Sequence, residues 1–228
     1  MGSDDLFKKR KARKSAALAR PKNTRTAYQR YLIVCEGTKT EPYYLQELVR
    51  DLNIRHHTVK IEPSDGSSPD RVVAHAVKLY TEDALSGDSF DKVFCVFDRD
   101  THTTFDAAVQ SIDRLKAGKH PKPFESITSS PCFEYWLLLH FGFTDQAFLA
   151  AGKKSVADQV VSLLKTKPGF ANYSKGKDDI YSLLKDHTSK AMTHAKRGRK
   201  NAEKTGQISP LTNVDLLVMA LMALGNHP

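Results

Sequence analysis

Five consecutive residues, Tyr31-Leu-Ile-Val-Cys35, are apolar without alternation. A strand that alternates has one wet face, whereas an unbroken apolar run has to bury both. That requirement selects a parallel sheet covered by helices on its two sides. Lys92-Val-Phe-Cys-Val-Phe97 repeats the pattern, and the weaker runs Val59–Glu62 and Phe124–Ser129 read as further strands. Between them, helical spacing runs from Thr38 through Tyr44, Leu45, Leu48 and Leu52. It recurs from Asp70 through Val73, Val77 and Tyr80, and from Thr104 to Leu115. Thr38 and Glu41 fit a capping box, with Pro42 tolerated in the first turn. Pro131–Phe141 reads as an apolar helix, and beyond residue 150 the chain reads as helices only, about 155–166, 178–198 and 213–224.

Strands alternating with helices predict an α/β fold, with a parallel sheet flanked by helices and a helical C-terminal extension. The boundaries expected are a basic arm over 1–29, an α/β core over 30–145 and the extension over 146–228. No apolar run approaches the roughly 18 residues of a membrane span. The charged N-terminus is unlike a secretory signal. Cys35, Cys95 and Cys132 form no CxxC pair, which argues against a disulfide framework or structural zinc and for a reducing, cytoplasmic compartment. Membrane association is not expected.

Charge is concentrated at one end. Residues 1–30 carry ten Lys and Arg against Asp4 and Asp5, or +8 of the chain's +9. A basic tail on a nearly neutral body fits a polyanion such as nucleic acid, although a tail serving only solubility has the same composition.

The acids fall where chemistry is done on such a sheet. Glu36 directly follows the first strand, and Asp98 and Asp100 follow the third. Ligands of open parallel sheets bind at the carboxyl ends of strands, above all where strand order reverses. Residues two apart point to one side of extended backbone, so neighbouring first and third strands would bring three carboxylates together. Oxygen-only donors select Mg²⁺, with Mn²⁺ as the alternative, and such an ion activates water and offsets phosphoryl charge. The bland account is that acids after strands cap helices or sit in solvated turns.

Further candidates surround these. Glu134 either complements a helix N-terminus or serves as another metal- or substrate-orienting carboxylate. His102 either contacts phosphate or is a solvated loop residue. Lys39, beside Glu36, suits an anion. Lys190–Lys200 is a second basic concentration; a helix fraying near Gly198 would leave Arg197, Arg199 and Lys200 on a loop. With Tyr173 as a stacking platform and Lys175, they would form a phosphate-tracking groove. Cys132 lacks a marked His or Asn partner, and His187 and His194, seven apart on one helix, lack a third metal ligand.

Three stretches resemble the RloB family: Tyr31–Tyr44, Val96–His102 and Ser130–Phe141. Tyr173-Ser-Lys175 and Pro210–Val214 resemble its C-terminal features. That family is linked to restriction–modification loci and phage defence, and it is similar to the Toprim superfamily of topoisomerases, primases and OLD-type nucleases. The resemblance implies a Toprim-like fold, Glu36 as general acid/base and potential ligand, and Asp98 and Asp100 as Mg²⁺ ligands. Without a primase's or topoisomerase's extra domains, the implied activity is that of a stand-alone nuclease. RNA, tRNA included, is expected before DNA, and a defence-system ATPase or other protein is a candidate partner. The competing class is a non-enzymatic nucleic-acid- or partner-binding regulator.

Overall fold

The first apolar run becomes β1 (Tyr31–Cys35), and every residue in it is buried. Side chains alternate across the sheet: Tyr31, Ile33 and Cys35 enter one apolar layer, Leu32 and Val34 the other. The computed structural model describes residues 28–87, 89–99 and 103–225. Apart from its last residues the expected basic arm lies outside them, as do Asp100 and His102.

β1 is followed by α1 (Thr40–Asp51), β2 (Val59–Pro63), α2 (Pro69–Leu85), β3 (Lys92–Asp98), α3 (Phe105–Ala117) and β4 (Phe124–Ser130). The strand order is β2-β1-β3-β4-β5, parallel as far as β4. Val72, Val73 and Ala76 of α2 join Ala108 and Ile112 of α3 over one face of the sheet. The other face carries Tyr44, Leu45 and Leu48 of α1 together with the helices after β4. Burying a side chain of this size stabilises the fold by about 1.5–3 kcal/mol. The α/β class and the parallel sheet flanked by helices are thus as the sequence predicts.

After β4 come α4 (Glu134–Leu138), α5 (Val156–Leu164), α6 (Ile180–Leu184), a 3₁₀ turn (Lys185–His187), α7 (Thr188–Thr205), β5 (Leu211–Thr212) and α8 (Val214–Gly225). Three local expectations are corrected here. The stretch 131–141 folds as a helix only over its middle. The helix expected over 178–198 is broken at the 3₁₀ turn, and its second part runs on through Gly198 to Thr205, ending at Gly206 in left-handed backbone. His187 therefore precedes α7 instead of sharing its face, while His194 packs with Nδ1 2.8 Å from the Leu139 carbonyl.

The C-terminal part is also more than helices. β5 pairs antiparallel with β4 through Ser129–Thr212 and Ser130–Leu211. Asn213 then prolongs the ladder with its side chain: Oδ1 accepts from the Thr128 N–H at 2.6 Å and Nδ2 donates to the Ser126 carbonyl at 2.9 Å.

Candidate functional site

β1 has β2 on one side and β3 on the other, so strand order reverses between β1 and β3 and opens a crevice at their carboxyl ends. The backbone N–H of Glu36 continues the ladder to the Val96 carbonyl at 2.9 Å. Its side chain then reaches across, and Oε2 accepts a 3.0 Å hydrogen bond from the Asp98 N–H. That bond fixes one carboxylate over the crevice beside the root of another.

A pocket of about 170 Å³ opens there, lined by Gly37–Glu41, Asp98, Phe133, Glu134 and Lys175. Glu134 opens α4 and is 2% exposed. The Tyr173 hydroxyl donates to its Oε1 at 3.0 Å, and Lys175 Nζ stands 3.7 Å from the same oxygen. The short segment between α5 and α6 thereby completes a pocket otherwise built from β1, β3 and the starts of α1 and α4. Gly176 secures it, donating its N–H to Thr40 Oγ1 at 3.3 Å. At φ +91° it sits against the Lys39 stem, where a Cβ would collide. Lys39 itself is exposed at the rim.

Burial first, and neighbouring acids second, make two of these carboxyls hold their protons tightly. Burial, followed by Glu41 and Glu134, holds the Asp98 carboxyl well above the usual carboxylate range, against a Phe133 backbone hydrogen bond that lowers it. Burial also lifts Glu41 to about 7, with Glu134 and Glu36 adding to the rise and Lys175 opposing it. The physical content is excess negative charge in a space too small to hydrate it. Cys132, beside the same acids, has its thiol pushed up by burial and then by Glu134 and Asp98, the opposite of an activated nucleophile.

Glu41 was not among the sequence-selected site residues, and the expected capping box does not form. α1 starts at Thr40, and Lys39 at the N-cap position makes no side-chain cap bond. Glu41 folds back instead over Gly37, where a Cβ would strike its carboxylate. A signal was present in the sequence: Glu41, Leu45 and Leu48 share the i, i+4, i+7 face that the helix buries.

Other expected contacts lie elsewhere. Tyr173 is 2% exposed and packs on Phe170, so its ring offers no face to a base. Arg197, Arg199 and Lys200 stand on α7, not on a loop, and none lines the pocket. Arg199 is held by both Asp215 oxygens and the Thr212 carbonyl. Arg197 lies 3.9 Å over the Phe143 ring.

Glu41 makes a pH prediction. Its folded-state affinity for protons exceeds the ordinary value near 4.5, so the folded state binds the extra proton between about pH 4.5 and 7. Stability therefore falls as pH rises through that window and stays low above it. Urea midpoints without divalent cation should drop from pH ~5 to pH ~8 by an amount worth a few kcal/mol, and Glu41→Gln should flatten the drop. Equal pH dependence in the two proteins would contradict this picture.

An all-oxygen donor set with unbalanced negative charge suits a hard divalent cation. Among the described residues no three His, Cys, Asp or Glu are grouped to hold a metal ion together, and Asp100 lies outside them. Among those residues, too, no helix is long and apolar enough to cross a membrane.

Fold and pocket define an α/β protein with a mostly parallel sheet whose acidic residues gather at the strand-order reversal. The chain matches the family model of RloB-like proteins over residues 31–221 and belongs to that family. No curated protein and no solved structure gives a match.

Proposed function

We propose that the protein is a Toprim-like, Mg²⁺-dependent nuclease acting on nucleic acid in antiphage defence. The observation that carries this reading is the gathering of Glu36, Glu41, Asp98 and Glu134 at the switch point with Lys39 and Lys175 at the rim. Acids alone would repel a phosphodiester; acids with a divalent cation and two lysines attract one. Asp98, Asp100 and Glu36 would hold the ion, with Mn²⁺ as a substitute. Bound there, it supplies charge neutralisation at phosphorus and a more acidic water.

The chain's own residues supply the rest. Glu36, oriented by the Asp98 N–H, accepts the proton of the attacking water. Lys39 and Lys175 hold non-bridging phosphate oxygens. Glu134 positions Lys175 through their ion pair and takes the Tyr173 hydrogen bond, so it orients the rim. RNA, tRNA in particular, is the first substrate to test and DNA the second; that order rests on the family resemblance.

The deciding experiment incubates the protein with mixed tRNA and DNA, with and without Mg²⁺. Cleavage that appears only with the cation supports the proposal. Nucleic acid bound but left intact with Mg²⁺ would instead favour a binding regulator. Glu36→Gln keeps the shape and removes the base, and should lower turnover at saturating Mg²⁺ by at least about two orders of magnitude. An unchanged rate would remove Glu36 from the mechanism.

A further inference from the structure

α7 carries its charge on one side. Ala191 and Ala195 are buried against the core and His194 meets the Leu139 carbonyl, which fixes the helix's rotation. The opposite face exposes Lys190, Lys196, Arg197, Lys200 and Lys204, with Glu203 as the acid among them. The four lysines make no ion pair among the described residues. Arg199, which the basic run 190–200 would add by composition alone, is turned inward and spent on Asp215. What remains outward is one helix face carrying five cations.

We infer that this face of α7 is a docking rail for the phosphate backbone of nucleic acid, separate from the acidic pocket. Charge complementarity selects the partner. From Lys190 to Lys204 this face is about 21 Å long at 1.5 Å per residue. At about 3.4 Å of axis per nucleotide in one strand, that length spans about six nucleotides. A set of cations spread over that distance matches a repeating anion better than any single small one. Tight docking also favours a rigid platform, and the face has one: Arg197 is pinned over Phe143, and the helix is anchored to α8 through Arg199 and Asp215. Lysine heads on such a face contact phosphates without reading bases, so the rail adds affinity and orientation, not sequence choice.

The rail relies on the nuclease proposal only for the identity of the polymer, and its test is a binding measurement that needs no cleavage. The full chain is titrated in EDTA with a fluorescently labelled RNA hairpin at a series of salt concentrations. The quadruple variant Lys190→Gln, Lys196→Gln, Lys200→Gln, Lys204→Gln is compared with a control carrying four neutralisations on the other face of the sheet: Arg71→Gln, Lys78→Gln, Arg114→Gln and Lys119→Gln. The α7 variant should bind more weakly, with the slope of log affinity against log salt shallower by about 3–4. The control should change the slope by less than about 1, and four Lys→Arg changes on α7 should restore it. A wild-type slope in the α7 variant overturns the rail, and so does an equal loss in the control, which would mean that overall charge alone governs binding. Failure of Lys→Arg to restore binding in a protein with the wild-type circular dichroism spectrum also overturns it. Absence of cleavage with Mg²⁺ would sink the nuclease reading and leave this result standing.

Discussion

Asp98→Asn should abolish cleavage and at the same time raise thermal stability in the absence of divalent cation. The two effects have one origin. The carboxyl sits among Glu41, Glu134 and Glu36, and burial with those neighbours drives its proton affinity up. An amide of the same shape keeps an oxygen for the Phe133 hydrogen bond and leaves the Asp98 N–H on Glu36, while one member of a crowded set of like charges is gone. The same substitution removes a proposed ligand of Mg²⁺. Nuclease assays and melting curves on one preparation check both halves. A lower melting temperature, together with an unchanged response to Mg²⁺, would make Asp98 a structural residue. Asp98 is half-buried and ringed by other acids, so the stabilisation is the more discriminating half.

The second large effect concerns Arg199→Ala. Asp215 is 5% exposed, and both its oxygens are satisfied by the Arg199 guanidinium, which also donates to the Thr212 carbonyl at 2.9 Å. Removing the arginine strands a buried charge and opens the seam where α7, β5 and α8 meet. The expected loss is about 3 kcal/mol of unfolding free energy, read from denaturant midpoints. Replacing both partners by apolar residues, Arg199→Met with Asp215→Leu, should recover part of it, because no charge is then left buried. The salt dependence of nucleic-acid binding should stay as in the wild type. A loss below about 1 kcal/mol accompanied by a shallower salt slope would instead make Arg199 a phosphate contact.

Those two residues show what a sequence can and cannot say about this protein. That Glu36 and Asp98 stand at the ends of two buried strands was legible because β1 and β3 are apolar on both faces, which marks strand ends sharply. That β1 and β3 are neighbours was a condition stated from the sequence, and the strand order meets it. Arg199 was illegible because its partner lies 16 positions away across the two-residue strand β5, too short to leave a periodic signature. Tyr173 is ambiguous in the sequence for a related reason: an aromatic near a lysine looks the same whether the ring faces solvent or, as here, sends its hydroxyl to a buried glutamate. Glu41 reads as part of a helix cap because Thr38 three positions earlier fits that pattern, whereas Gly37 lets the carboxylate fold back into the pocket. Gly198 reads in the sequence as a point where a helix frays, yet flanking residues with strong helix propensity and the Arg199 anchor carry α7 past it.

The Asn213 amide has a consequence for how the sheet meets other chains. Exposed strand edges present unpaired N–H and C=O groups and invite an added strand, whether a bound peptide or an aggregating copy. By answering Thr128 and Ser126 with one side chain, Asn213 blunts the β4 edge where the two-residue β5 stops short. Among the described residues the opposite edge strand is β2, whose last residue, Pro63, has no N–H to offer. A strand-adding partner would therefore be received at the margin farthest from β5, and Asn213→Ala should open a second, aggregation-prone margin on the opposite side.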